Sequence, residues 1–493
     1  MSCAASESQV LAPPPEPTPT VAAAVATPVA RANAFQDALD IGMGAATLAQ
    51  SARTENDWRL VAGQWQRAIA LLTALPPTAP QHQAAQAKIA EYQQNLATAQ
   101  QRSGAEPSSA TTANVPAPTA SPIAAAASGG AGMNFLVVAG GGTPRNNEIA
   151  LEKNVLYFQR ALQARGFDPA QATIFFANGN DGQATVRYIN DQRQEQYKAP
   201  AIPGVAGAAT VANVTNWLGQ QGRDRRSLFF YFTGHGAKNN QNPDNNSLIL
   251  WGDQRLTVQQ LSQQLDQLGS DRQIVTMMAQ CYAGSFANFV HPNGTPGVNL
   301  AAQTRCGFFA TIKTSVSVGC TPEVNEADYR DYSSSFFAGL SGRDRTGQAA
   351  ASADYNRDGR VSYAEAHGFA KVDGRTTDLP VSTSEVWLHS QRSEAEKQQI
   401  LNQPLQSLLA SARPEQRYVV ETLARQFGMN LNQSYQTQAT NRGNLGTVQS
   451  AYLTRLGMEL LNIGIEQQLR ASGNSTLIAI LQRLLECEAT TWQ

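Results

Sequence analysis

The sequence predicts an α/β protein: a mostly parallel sheet flanked by helices, with all-helical segments before and after it. Three observations carry this. Short apolar runs, Phe135–Ala139, Thr173–Ala177, Ser227–Thr233 and Ile274–Ala279, recur between stretches of helical periodicity. The runs are continuously apolar rather than alternating, as in strands buried on both faces; strands alternating with helices imply a parallel sheet with right-handed crossovers. Two of the runs end in a reactive side chain beside glycine, Tyr-Phe-Thr-Gly-His235-Gly236 and Ala-Gln-Cys281-Tyr-Ala-Gly284.

At 493 residues the chain exceeds one ordinary core, so two or three domains are expected. Residues 1–33 read as a disordered Pro/Ala-rich tail. They carry no charged n-region or apolar h-region. Yet Ser2-Cys3 followed by a flexible tether looks like the mature start of a bacterial lipoprotein. With an upstream signal segment Cys3 would carry a lipid at the cell envelope; as written, the chain reads as cytoplasmic.

Residues 34–102 read as a helical module. Trp58, Val61, Trp65, Ala68, Ile69 and Leu72 recur at helical spacing, as do Ala84, Ala87, Ile89, Tyr92 and Leu96, with Pro76, Pro77 and Pro80 between them. A helical hairpin follows, preceded by a helix around Phe35–Gln50. It looks like one degenerate tetratricopeptide unit, suited either to binding a protein partner or to stabilising its neighbours. Residues 103–132, rich in Ala, Ser, Thr, Pro and Gly, read as a linker.

Residues 133–390 form the expected catalytic domain. After the first strand, Asn147–Arg165 carries Leu151, Val155, Phe158 and Leu162 on one helical stripe. Thr257–Leu268 is a helix with Leu261, Leu265 and Leu268, and Phe308–Ile312 is a fifth strand. Residues 391–493 are helical again, broken around Arg413-Pro414 and 430–445, and could cap the catalytic domain or bind a partner.

A net charge of −1 argues against a nucleic-acid surface or a polybasic membrane surface. No apolar run approaches the roughly 20 residues of a membrane span. Of the five cysteines, none forms a C-x-x-C pair, so neither a zinc site nor a dithiol redox motif is indicated. Cys306 and Cys320 could bridge in an oxidising compartment.

His235 and Cys281 at two strand tips make a base and a nucleophile. A free thiol, with pKa about 8.5, is only a few per cent ionised at neutral pH; a nearby imidazole raises that fraction and later protonates the leaving amine. Gly236, lacking a side chain, would let its N–H approach a developing oxyanion, with the Cys281 N–H as second donor.

The two blocks resemble those of the caspase-like cysteine peptidases, and within them the legumain family, in which the histidine also comes first. Weaker support comes from Ser247–Thr257, similar to the hairpin and helix start after the family's histidine. Val137–Asn147 resembles its first strand and polar loop, and Phe309–Thr314 with Tyr332–Phe337 its post-cysteine strand and helix. The resemblance spans residues 133–390 and implies a caspase-like fold, a thiol peptidase acting through a thioester, and a histidine-orienting asparagine, Asn147 or its neighbour Asn146. The family usually shows Cys-x-Ser-Gly where this chain has Ala283. Ala279 stands where legumains carry Glu and metacaspases Asp, which argues against metacaspase-like preference for Arg or Lys. His291, His367 and His389 lack such a context, and Cys306, Cys320 and Cys487 are weaker nucleophiles.

Gly140-Gly-Gly142 could cradle a phosphate, but neither G-x-G-x-x-G nor G-K-[ST] is present. Residues 354–365 fit an EF-hand calcium loop. Asp354, Asn356 and Asp358 supply oxygens, Gly359 the turn, Arg360 a carbonyl, Ser362 the water-linked position and Glu365 a bidentate carboxylate; Val361 is the apolar anchor.

The expected function is therefore a cysteine endopeptidase acting on protein or peptide substrates, with structural or regulatory Ca²⁺ and no organic cofactor. An inactive protein-binding scaffold and a peptide ligase using the same dyad are the alternatives.

Overall fold

The computed structural model describes residues 81–103, 132–190, 192–297, 299–440, 442 and 445–492, with scattered positions between 35 and 79. The expected tail and most of the linker, including Cys3, lie outside the described residues, as does most of the helix expected over 35–50. The chain divides into two compact units, one holding the described residues up to Ser103 and the other those from Gly132 onward.

In the first unit, α1 (His82–Arg102) buries Ala85, Tyr92 and Ala99, one residue in seven. Tyr92 meets Trp65 with ring centroids 4.8 Å apart, and the Arg102 guanidinium lies over Trp58. Ala84 and Ala87, expected on the buried stripe, are exposed, because this narrow heptad-like seam needs only Ala85 and Tyr92 along that stretch.

The second unit is α/β, with helices on both faces of a nine-stranded, mostly parallel sheet. Its strands are β1 (Met133–Gly140), β2 (Ala172–Phe176), β5 (Val205–Gly207), β6 (Ser227–Ala237), β7 (Ser247–Leu250), β8 (Gln254–Thr257), β9 (Gln273–Ala279), β10 (Thr304–Phe309) and β11 (Val381–Ser382). The order is β11-β10-β9-β6-β1-β2-β5, with β7 and β8 added beyond the end of β6. A separate hairpin pairs β3 (Val186–Ile189) with β4 (Glu195–Lys198).

Along β1 and β6 alternate side chains enter opposite cores. Phe135, Val137, Phe229 and Tyr231 face α2 (Ile149–Ala164), α5 (Tyr332–Ser341) and α6 (Tyr363–Asp373). Leu136, Val138, Phe230 and Phe232 face α3 (Val211–Gln220), α4 (Val258–Asp266) and the C-terminal helices. Burial on both faces is why these strands read as unbroken apolar runs. The fifth strand begins four residues earlier than expected because Arg305, though charged, is buried and paired with Asp266.

The helices beyond residue 390 are not a separate body. α10 (Pro414–Gln426) starts at the expected Arg413-Pro414 break; α12 (Thr447–Ala471) and α13 (Ser475–Glu488) complete the layer. Leu423, Leu456, Leu460 and Leu484 share one core with Phe230 and Met278. Trp492 enters the opposite core, against Phe135, Phe158 and Phe229 at 5.4–5.7 Å. No helix among the described residues is long and apolar enough to cross a membrane.

The Cys306–Cys320 bridge that the sequence allows does not form. Cys306 on β10 is joined to Cys487 on α13, 181 residues away. Cys320 is disulfide-bonded as well, and lies after β10 rather than beside it.

Candidate active site

β6 and β9 run parallel in the register Thr233↔Ala279. Two residues further along, His235 stands on β6 and Cys281 just past the end of β9, at the carboxyl edge where parallel sheets place their sites. Gly236 lies against Cys281: a Cβ there would sit 2.0 Å from the Cys281 carbonyl oxygen and 3.0 Å from Gln280 Cγ. The absent side chain is thus a packing requirement of the paired strand tips. Cys281 is followed by Tyr282 in the left-handed region, φ 61°. That turn is fixed by Tyr282 N–H donating to the Ser315 carbonyl at 2.8 Å and by Asn246, whose amide reaches the Tyr282 and Lys313 carbonyls. The Cys281 sulfur accepts from Ser317 N–H at 3.4 Å and lies 3.7 Å from the Ser317 carbonyl.

His235 is held from the β1–α2 loop. Its Nε2 is 2.8 Å from the Asn146 carbonyl and 3.0 Å from Glu148 Oε2. Both partners accept, so Nε2 carries the proton and the neutral ring keeps its lone pair on Nδ1. Nδ1 is then the basic nitrogen. Glu148 is buried, which raises its carboxyl, but the hydrogen bonds and charges of His235 and Arg187 outweigh this and hold it below the usual carboxylate range. Arg187 bonds Glu148 at 2.9 Å and Glu195 at 3.0 Å. The β3–β4 hairpin therefore supplies the cation behind the carboxylate.

Asn147 does not orient the histidine through its side chain. Its Oδ1 accepts from Gly141 N–H at 3.1 Å and its amide donates to the Thr185 carbonyl; the neighbouring Asn146 reaches His235, and through its backbone. The reason is loop geometry. Residues 143–147 fold back so tightly that a Cβ on Gly141 would lie 1.8 Å from the Asn146 oxygen. That close approach accounts for the glycine run without a phosphate. Glu148 and Arg187 were missed in the sequence: a glutamate just before a helix reads as an ordinary N-terminal acid.

Glu148, His235 and Cys320 bring potential metal-ligand atoms within 4.8 Å of one another. A disulfide sulfur is not a thiolate ligand, so with Cys320 bridged the trio does not read as a metal site. Of the other histidines, His291 bonds the Asn299 carbonyl, His389 bonds Asn462, and His367 sits between Tyr332 and Glu385 in the core.

The 354–365 loop lies at the entry to α6. Asp354 accepts from the Asp358 and Gly359 N–H groups, and Asp358 from Arg360. Glu365, 2% exposed, accepts from Tyr355 and Asn356 N–H and closes a reciprocal cap with Ser362. The donor set is entirely oxygen, the type a hard divalent cation takes, and Gly359 adopts φ 83° at the turn. The residues fit Ca²⁺ in kind.

No protein-family model matches the chain, and no curated protein does. Among solved structures, protein GSU0716 from Geobacter sulfurreducens is similar over 38% of this chain and 76% of its own, at 11% identity and a TM-score of 0.25.

Proposed function

We propose that this chain is a cysteine endopeptidase of the caspase-like type, nearest the legumain family, acting on protein or peptide substrates. The observation that carries the reading is the fixed tautomer of His235, a histidine on the strand tip beside Cys281 with its basic nitrogen set by Asn146 and Glu148. His235 Nδ1 takes the thiol proton as the Cys281 sulfur attacks the scissile carbonyl. The proton passes to the leaving amine and a thioester remains. A water, deprotonated by His235, then opens the thioester and restores the thiol. Glu148 stabilises the imidazolium that forms in between. The N–H groups of Gly236 and Cys281 are the oxyanion donors in this scheme; losing one costs roughly a hundred- to a thousandfold in rate.

Cys281 is 1% exposed, so turnover requires its surroundings to open. That closure favours a second reading, the inert scaffold. Peptide ligation, in which an amine replaces water, would use the same residues. Ca²⁺, held by Asp354, Asn356, Asp358, the Arg360 carbonyl and Glu365, would rigidify the entry to α6; no step of the chemistry passes through it. The Cys306–Cys487 bridge suits an oxidising compartment.

Digestion of a peptide library by wild type and Cys281→Ala, with and without calcium, tests the proposal. Cleavage by wild type alone is expected. Identical product lists from both proteins would remove the enzyme reading, and joined peptides would favour ligation.

A further inference from the structure

Behind the sulfur of Cys281 lies a buried acid outside the Glu148–His235–Cys281 set. Asp378, 1% exposed, sits just before β11. Its Oδ1 accepts from Val318 N–H at 2.9 Å, while Oδ2 is sealed from solvent. The residue before Val318 is Ser317, whose two peptide groups both meet the sulfur. Those groups favour opposite states. The Ser317 N–H stabilises a thiolate, whereas its carbonyl accepts only from a thiol. How this segment is turned therefore sets how readily Cys281 ionises.

We propose that Asp378 is a positioning residue for Cys281: by holding Val318 N–H it fixes the planar peptide whose other end, the Ser317 carbonyl, accepts from the Cys281 thiol. The inference rests on Cys281 as the nucleophile. Asp378 is itself anchored from the C-terminal layer. Arg455 on α12, wholly buried, donates to the carbonyls of Lys371, Gly374, Thr376 and Asp378 at 2.7–3.0 Å. A continuous series of hydrogen bonds thus runs from α12 through residues 374–378 and 317–318 to the sulfur. The C-terminal helices, on this account, belong to the catalytic apparatus as well as to the core.

The charged groups facing Asp378 are Arg455 from α12 and Asp331 from the start of α5. Burial pushes its carboxyl up to about 7, with Asp331 adding to the rise and the Val318 N–H, Arg455 and the Ser317 hydroxyl opposing it. Either protonation state retains an oxygen for Val318.

The test is the ionisation of Cys281, read from thiolate ultraviolet absorbance as the difference between each protein and its Cys281→Ser counterpart, from about pH 5 to 9. Asp378→Leu keeps the volume and removes the acceptor; with the Ser317 carbonyl no longer held against the thiol it should lower the midpoint by about one unit, roughly tenfold more thiolate at neutral pH. Asp378→Asn keeps an oxygen for Val318 and should lower it less than Leu does. A Leu variant that folds with the wild-type midpoint overturns the proposal. Should that variant not fold, amide exchange in the wild type decides: protection of Ser317 and Val318 well above that of exposed loops is expected, and exchange at exposed-loop rates overturns it. Undiminished turnover by Cys281→Ser would instead remove Cys281 as the nucleophile while leaving the ionisation result intact.

Discussion

A methyl group on Gly236 would lie 2.0 Å from the carbonyl oxygen of Cys281. The residue after the base and the backbone of the nucleophile therefore touch, and neither strand tip can move without the other. Gly236→Ala must push β6 and β9 apart. Overpacking of this kind costs about 1–3 kcal/mol. The expected result is a lowered melting temperature together with at least a hundredfold loss of kcat/KM if Gly236 N–H also faces the oxyanion. Thermal melts and peptide kinetics on the same preparation measure the two effects separately; wild-type values in both would show that the contact is not constraining.

Glu148 offers a prediction with a definite pH sign. Its carboxyl is held below the usual range in the folded protein, so it contributes stability that is present above its unfolded value, near 4.5. That contribution is lost as pH falls through the lower folded value. Glu148→Gln should therefore be less stable than wild type at neutral pH, by about 1–3 kcal/mol, with the gap closing in acid. Denaturant melts across that range give the gap directly. The same substitution should lower kcat more than it changes KM, because Glu148 acts on the imidazolium rather than on substrate. A gap that widens toward low pH would contradict the assignment.

The Cys306–Cys487 bridge spans 181 residues and ties β10 to the final helix. Removing a native disulfide typically costs about 2–5 kcal/mol. The double variant Cys306→Ala, Cys487→Ala should melt lower than wild type and shift less on adding reductant, the Cys320 disulfide remaining. If reductant leaves the wild-type melt unchanged while free thiols appear, the bridge does not hold the terminal helix.

Calcium at the 354–365 loop would raise the melting temperature with ligand concentration, as any ligand of the native state does. The variant Asp354→Asn, Glu365→Gln should show neither the shift nor the binding heat by calorimetry. Equal heats for both proteins would remove the site.

How much of this the sequence carries differs by element. β1, β6 and β9 are legible because burial on both faces leaves them continuously apolar, and His235 and Cys281 are legible because they end such runs. The β3–β4 hairpin is not: Arg187 to Ile189 are only partly buried and β4 is mostly exposed, so no apolar pattern marks it, and with it goes the cation behind Glu148. β11 is two residues long and reads as loop. Cysteine connectivity cannot be deduced from spacing, so the partner of Cys306 lay out of reach. Asp378 has no local signature at all; its significance comes from Val318 and Arg455, which meet it only in the folded chain.

The claim at the centre is that Cys281 forms a thioester with His235 as its base. The direct measurement is mass spectrometry of the intact protein after reaction with a peptidyl acyloxymethyl ketone, followed by mapping of the adduct. The account predicts a single adduct on Cys281 in wild type, at least a hundredfold slower in His235→Ala. Peptide cleavage that persists in Cys281→Ala, with the label on another residue, would contradict it.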